Sequence, residues 1–387
     1  MKLMTKNILI TGGAGFIGSH LVNRLFKKGG YNITVLDNLI KQIHGEDQNS
    51  FTFRSIKGKC KFVEGDVQDE KLFVSLLKET NILIHLAAET GTGQSMYENA
   101  RYVKANCLST SYIVDFISKQ NNNIEKIIVA SSRSIYGEGK YECLEQGCSE
   151  LGIQYPDSRE IEDMSNCQFE CLCSSCKKPL KILATSEDSR IHPISTYGLT
   201  KFFQENLLES ACVAAELPFV GLRFQNVYGV GQSLSNPYTG IISIFSNRFR
   251  QGKGVNIFED GKESRDFVYI DDVIDSIEGS ILLKDKKPII LNVGSGIMTS
   301  VLEIAEILRE KINPEVTIKI SGDFRKGDIR HNYADLKLIN NKLGFKPKYS
   351  IKQGLSLFTD WMLRQNEEED KYEASLNELK DKGLLNS

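Results

Sequence analysis

The sequence predicts an α/β protein built on a doubly wound parallel sheet, with a smaller C-terminal α/β unit and a cysteine-rich insertion. Three observations predict it. Short, nearly continuous apolar runs alternate with helical stretches over the first 225 positions, as strands covered on both faces do. The first run ends in spaced glycines, Gly12, Gly15 and Gly18, and passes directly into a helical pattern. The second run ends in an acid, Asp37, about twenty residues beyond that turn.

In chain order, Ile8–Ile10 is the first strand, and the glycines behind it fit a dinucleotide. Gly12 permits a tight turn, Gly15 lets a pyrophosphate approach the backbone, and Gly18 lets the helix pack close to the strand. Phe16 and Ile17 open that helix, whose first amides and dipole face the phosphate charge. The second strand, Ile33–Leu36, delivers Asp37 and Asn38 to a ribose, and the carboxylate favours NAD because it repels the 2′-phosphate of NADP. Lys61–Val63 reads as a third buried strand, followed by Asp66 and Val67, an acid within reach of an adenine edge. Ile82–Leu86 is the fourth, closed by Ala87, Ala88 and Glu89, whose small residues let a dinucleotide lie near the backbone. Each of these two strand ends also reads as a plain turn. Lys126–Ala130 is the fifth strand, and it places Ser132 and Arg133 at the carboxyl edge of the sheet, where such folds bind ligands. Pro218–Phe224 reads as the last strand of this core.

Between the fifth strand and that last one, residues 138–190 break the rhythm. The segment is polar, shows neither strand nor helix periodicity, and holds six of the nine cysteines. Cys173 and Cys176 have a zinc-knuckle spacing, and Cys143 and Cys148 complete a candidate four-thiolate site for a structural Zn²⁺. The alternative is a loop of reduced thiols. Regular pattern resumes at Tyr197 and Lys201, four apart at the head of a helix running to about Glu216. Both side chains share one face, and an ammonium beside a phenol favours the phenolate that a base requires.

The remainder reads as a looser α/β half. Ile241–Phe249 and Val301–Ile312 are helices, Leu291–Gly294 is a strand, and Val316–Ile320 alternates like an edge strand. Another helix begins near Asp271. The tail past Gln365 reads as a charged helix or frayed end with a solvated face. The expected division is therefore 1–225 for NAD, with 138–190 inserted, and 226–365 for substrate, of which about 255–275 returns to the first domain; 366–387 is tail.

Bulk properties exclude several classes. The 387 residues are 41% hydrophobic and 25% charged, with a net charge of −2, which gives no electrostatic reason to bind nucleic acid or an anionic membrane. No apolar run is long enough to span a bilayer, and the N-terminus enters a strand without a signal peptide, so the cytoplasm is the expected compartment.

Taken together, TGGAGFIG, Asp37, Asp66, Ala87-Ala88, Ser132, the Tyr197/Lys201 pair, Arg223 and Arg265–Val273 (RDFVYIDDV) resemble the extended short-chain dehydrogenase/reductase family of nucleotide-sugar enzymes, a Rossmann-type fold. The resemblance spans Asn7 to about Ala334. It implies that Gly12, Gly15, Gly18, Asp37, Asp66 and Val67 bind NAD. Tyr197 is then the base on the sugar hydroxyl, and Ser132 bonds the same oxygen. Lys201 holds the nicotinamide ribose and lowers the tyrosine's pKa. Glu89, Ser132, Arg133 and Asn226 face the sugar nucleotide, and Arg265 and Arg330 suit its diphosphate. The substrate is a dTDP- or UDP-sugar, and the helices Gln94–Lys119 and Tyr197–Glu216 pair two chains into a homodimer. A 4,6-dehydratase carries an Asp-Glu pair after the Ser/Thr, where this chain has Arg133 and Ser134, so 4-epimerisation of a 6-deoxyhexose through a 4-keto intermediate is favoured. A 4-ketoreductase or sugar dehydrogenase would use the same three residues. A non-catalytic NAD or redox sensor would need none of them. Within the insertion, the chain departs from its relatives at Gln146, where they carry His, and at Lys177, where they carry Gly.

Overall fold

A computed structural model describes residues 5–46, 48–119, 122–145, 147–148, 152–234, 236, 238 and 240–386. Gln146 lies outside them. Seven parallel strands form the central sheet: β1 (Lys6–Thr11), β2 (Tyr31–Asp37), β3 (Lys61–Glu64), β4 (Ile82–His85), β5 (Lys126–Ser132), β6 (Phe219–Phe224) and β7 (Ile289–Val293). Their spatial order is 7-6-5-4-1-2-3. The chain therefore winds outward from β1 in one direction and restarts at β4 in the other, leaving a crevice at the strands' carboxyl ends where the winding reverses. Thr11, Asp37, His85 and Ser132 all end strands on that edge.

Two expectations about the sheet are corrected. Phe224 does not end the core, because β7 returns from the C-terminal half and pairs with β6 from Ile289↔Val220 to Val293↔Phe224. β3 is not buried: it is the outer strand, and Lys61 and Glu64 are exposed. β5 is buried throughout, Lys126 included. The lysine's Nζ donates to the carbonyls of Ser280, Ile281 and Leu283 at 2.9, 3.0 and 2.5 Å, and so caps the C-terminus of the Ile270–Leu282 helix.

Helices cover both faces. Leu21, Val22 and Leu25 of the Phe16–Lys28 helix belong to the larger apolar core, which continues into the C-terminal half. On the other face Phe73, Ile113 and Leu208 pack with Leu9, Ile127 and Phe219 of the sheet. Asn226–Tyr228, Ser264–Tyr269, Met298–Ser300 and His331–Asn332 form a second, four-stranded sheet.

The 138–190 insertion, expected to lack regular structure, contains a three-stranded antiparallel sheet of Lys140–Glu142, Ile153–Gln154 and Lys181–Leu183 and a short helix, Ile161–Ser165. Strands of two or three residues are too short to show a periodicity, which is why the sequence hides them. The tail also departs from a solvated helix. Its helix, Tyr372–Asp381, buries Tyr372, and Leu385–Asn386 pairs antiparallel with Phe324–Arg325. Among the described residues, no helix is long and apolar enough to cross a membrane.

Candidate active site

The strand ends open on one long cleft of about 1080 Å³. At one end lies the glycine turn. Gly12 has φ +69°, and its N–H donates to the Leu36 carbonyl at 2.8 Å; a Cβ there would fall 2.8 Å from the Ala87 nitrogen. A Cβ on Gly18 would lie 2.3 Å from the Gly12 carbonyl oxygen, so the helix could not sit so close to the strand. Gly15 starts the helix without a side-chain cap, which leaves the first amides open to a ligand. Asp37 is buried, accepting from the N–H groups of Ala14 (2.9 Å) and Leu39 (3.0 Å), and burial raises its pKa against the pull of His44. Asn38 donates to Asp66 at 2.8 Å. Gly12, Gly15, Phe16, Ile17, Gly18, Asp37, Asn38, Asp66, Val67, Ala87 and Ala88 all line the cleft. These residues fit a dinucleotide: a turn too tight for a side chain, free amides beyond it, and an acid at the end of β2.

Midway along, Ser132, Tyr197 and Lys201 meet at the ends of β5 and of the Thr196–Ala214 helix. That helix is capped by Ser195, whose hydroxyl accepts from Gly198 N–H at 3.1 Å. Burial raises the pKa of the Tyr197 phenol, while the neighbouring Ser132 hydroxyl and the Arg133 charge lower it. Lys201 is held away from the phenol, with Nζ donating to the Ala130 carbonyl at 2.9 Å and to Gln204 Oε1 at 3.0 Å. Burial lowers its pKa to about 7. Arg133, next to Ser132 in the chain, is a cation that acts on the phenol here.

The cleft also carries arginines. The Arg133 guanidinium makes no hydrogen bond or ion pair among the described residues, and burial together with Arg265 pushes its pKa down to about 10. Arg265 lines the cleft and donates to Asp328 at 2.8 Å. Asn226 lines the wall, as does Glu89, whose carboxylate pairs with Arg101 at 2.7 Å. Arg330 is not in the cleft. It is fully buried beneath it, binding Glu170, Glu259 and Asp260, and three carboxylates leave its guanidinium nothing to offer a diphosphate. Arg325, five residues earlier, lines the cleft instead.

Sequence reasoning also missed Asn106. It lies in a π-helical turn, Val103–Leu108, of the kind that marks functional sites. The side chain is fully buried, accepts from Glu89 N–H (2.8 Å), and donates to the Glu89 carbonyl (3.1 Å) and to Thr200 (2.9 Å). It thereby ties the end of β4 to the tyrosine helix. A lone asparagine in a helical stretch carries no signal of this in sequence.

In the insertion, the Sγ atoms of Cys143, Cys148, Cys173 and Cys176 all lie within 4.8 Å of one another. Cys171 is separate, bonded to Tyr141, and Cys167 is exposed.

The model of the NAD dependent epimerase/dehydratase family matches residues 8–156 and 171–294, and the chain belongs to that family. It is 37% identical to the dTDP-L-rhamnose 4-epimerase of Burkholderia thailandensis over 93% of this chain and 96% of that one. It is 30% identical to a putative UDP-glucose 4-epimerase of Methanocaldococcus jannaschii, over 93% and 99%. Among solved structures, a UDP-glucose 4-epimerase with UDP-glucose from Thermotoga maritima superposes with a TM-score of 0.73 at 29% identity, covering 92% of this chain and 99% of that one. A UDP-glucuronic acid 4-epimerase from Bacillus cereus, in complex with UDP-glucuronic acid and NAD, gives 0.71 at 25%, with the same coverage.

Proposed function

We propose that the protein is an NAD-dependent nucleotide-sugar 4-epimerase whose substrate is a dTDP-6-deoxyhexose, dTDP-L-rhamnose going to dTDP-6-deoxy-L-talose. One observation carries the reaction: the Ser132 and Tyr197 hydroxyls line one cleft together with the glycine turn and the arginines Arg133, Arg265 and Arg325. NAD, when bound, supplies an acceptor and then a donor of hydride for the sugar C4. Tyr197 takes the C4 hydroxyl proton through an oxygen that Ser132 also bonds, and returns it once the keto sugar has turned over. Lys201, with its partners on β5 and its own helix, suits a ribose hydroxyl. Arg133 and Arg325 suit the diphosphate, with Arg325 replacing Arg330 in that role. Arg265, whose guanidinium already donates to Asp328 and to the Ser264, Ile329 and Arg330 carbonyls, shapes the wall beside them. Arg133 and Ser134 supply no acid–base pair for eliminating water, which disfavours dehydration. The sugar and the dTDP base rest on the likeness to the Burkholderia protein; the UDP-sugar relatives support a second reading with the same chemistry.

In this reading residues 1–225 hold NAD and 226–365 the nucleotide diphosphate. The four cysteines hold a structural Zn²⁺, for which four buried or half-buried sulfurs at that spacing are suited. The ion fixes the insertion and takes no part in the reaction. A homodimer is supported by Leu199, Phe203 and Val213, with Met96, Val103 and Leu108, all exposed apolar residues on the two helical segments through which the chains would pair. Nine free thiols suit the reducing cytoplasm.

The test is incubation of purified protein with dTDP-L-rhamnose and no added cofactor, following the sugar C4 proton by NMR. A second C4 resonance growing to equilibrium is expected. Accumulation of NADH, or a need for stoichiometric NAD(P)H, would reassign the protein to dehydrogenase or reductase; turnover of UDP-sugars alone would correct the base.

A further inference from the structure

The C-terminal segment is unused by the chemistry above. Lys371, Glu373, Asn377 and Lys380 are exposed, and Glu373 pairs with Arg248 at 3.1 Å. The opposite stripe, Tyr372, Ser375, Leu376 and Leu379, follows helical spacing and lines the same cleft as Tyr197 and Arg325. Tyr372 is fixed, with its hydroxyl on the Asn256 carbonyl at 3.3 Å and the Arg248 guanidinium 4.4 Å over its ring. Leu376 and Leu379 are only partly covered. They turn apolar surface toward an open cleft instead of a core, which a ligand there would cover.

The segment is tied down along its length. Besides the Glu373–Arg248 pair, the Glu368 carbonyl accepts from Asn247 (3.3 Å) and Gln251 (2.8 Å), and the Leu384 carbonyl accepts from the Lys326 N–H at 3.0 Å. Asp370 accepts from Arg248 and Lys253, both at 3.0 Å. Glu378 accepts from the Tyr238 hydroxyl, which in turn accepts from Tyr97 at 3.1 Å. Leu385–Asn386 pairs with the strand that carries Arg325, a residue of the cleft. Among the described residues, none of these ties reaches the glycine turn, Asp37 or Asp66.

We propose that residues 366–386 form the outer wall of the nucleotide-sugar site, resting on the reading of that site given above. Leu376 and Leu379 cover the bound nucleotide sugar, and the Leu385–Asn386 strand fixes Arg325 beside it.

The test is hydrogen–deuterium exchange on the full-length, NAD-loaded protein with dTDP and UDP as probes, binding being measured in parallel by calorimetry. Exchange at 372–381 is expected to slow about tenfold when a nucleotide binds. In the variants Leu376→Asp and Leu379→Asp, KM for the nucleotide sugar should rise about tenfold with kcat and bound NAD unchanged. A nucleotide that binds by calorimetry while exchange at 372–381 stays the same overturns the wall and leaves the enzyme reading intact. If neither nucleotide binds, the enzyme reading fails and the wall falls with it.

Discussion

Lys177 holds a left-handed backbone, φ +60°, in the turn after Cys176, with its N–H on the Cys173 carbonyl at 3.1 Å. Glycine is the residue that adopts this conformation without strain. Lys177→Gly should therefore stabilise the protein by about 1 kcal/mol in chemical denaturation. A stability loss would mean that the lysine side chain does more than tolerate the turn. At the reaction centre, Tyr197→Phe should lower turnover by roughly 10²–10⁴-fold and leave NAD bound. Retained activity would remove Tyr197 as the base. The residue scale is also where sequence reading reached least far. Arg325 and Arg330 sit in one short run, FRKGDIR, and nothing in the spacing says which guanidinium turns to the cleft and which to Glu170, Glu259 and Asp260. Side-chain direction follows from the pairing of Phe324–Arg325 and of His331–Asn332, and those strands of two residues have no readable period.

At the scale of elements, the glycine turn, the strand ends and the tyrosine helix were legible because each carries a local physical requirement. A tight turn needs glycine, a ribose an acid, and a base and its cation a shared helix face. The tail was not legible, because a charge run predicts solvent whatever its other face meets. The insertion was legible only through its cysteines. It packs on the C-terminal half through Arg159, which pairs with Glu259 at 2.7 Å, and through Glu170, which binds Arg330 and His331. If the four thiolates hold Zn²⁺, metal analysis of protein prepared without chelator will find one ion per chain, and Cys173→Ser will lose it and raise proteolytic cleavage within 138–190. Metal-free wild type with an intact insertion would end the zinc proposal.

For the whole molecule, the half-buried ion pairs in and behind the cleft wall set an acid limit. Burial would raise the Asp328 carboxyl, but Arg265, Arg325, Arg159 and Arg133 bring it down to about 2. Burial likewise opposes His331 and Arg330 at Glu170, and the outcome is again about 2. Both folded values lie below the ordinary ones, 3.8 and 4.5, so the unfolded chain binds more protons in this window. The stabilisation is complete above about pH 4.5 and is lost as pH falls toward 2, at up to about 1.4 kcal/mol per pH unit for each group. Denaturation at pH 6, 4 and 3 should show this loss, and Glu170→Gln should flatten it; equal slopes in variant and wild type would contradict the assignment.

The central claim is that one bound NAD takes hydride from C4 of a nucleotide sugar and gives it back to the same carbon. The direct measurement starts from dTDP-L-rhamnose carrying deuterium at C4, with no cofactor added and light water as solvent. The account predicts that the epimerised product keeps the deuterium at C4. Loss of the label from C4 during turnover would contradict it.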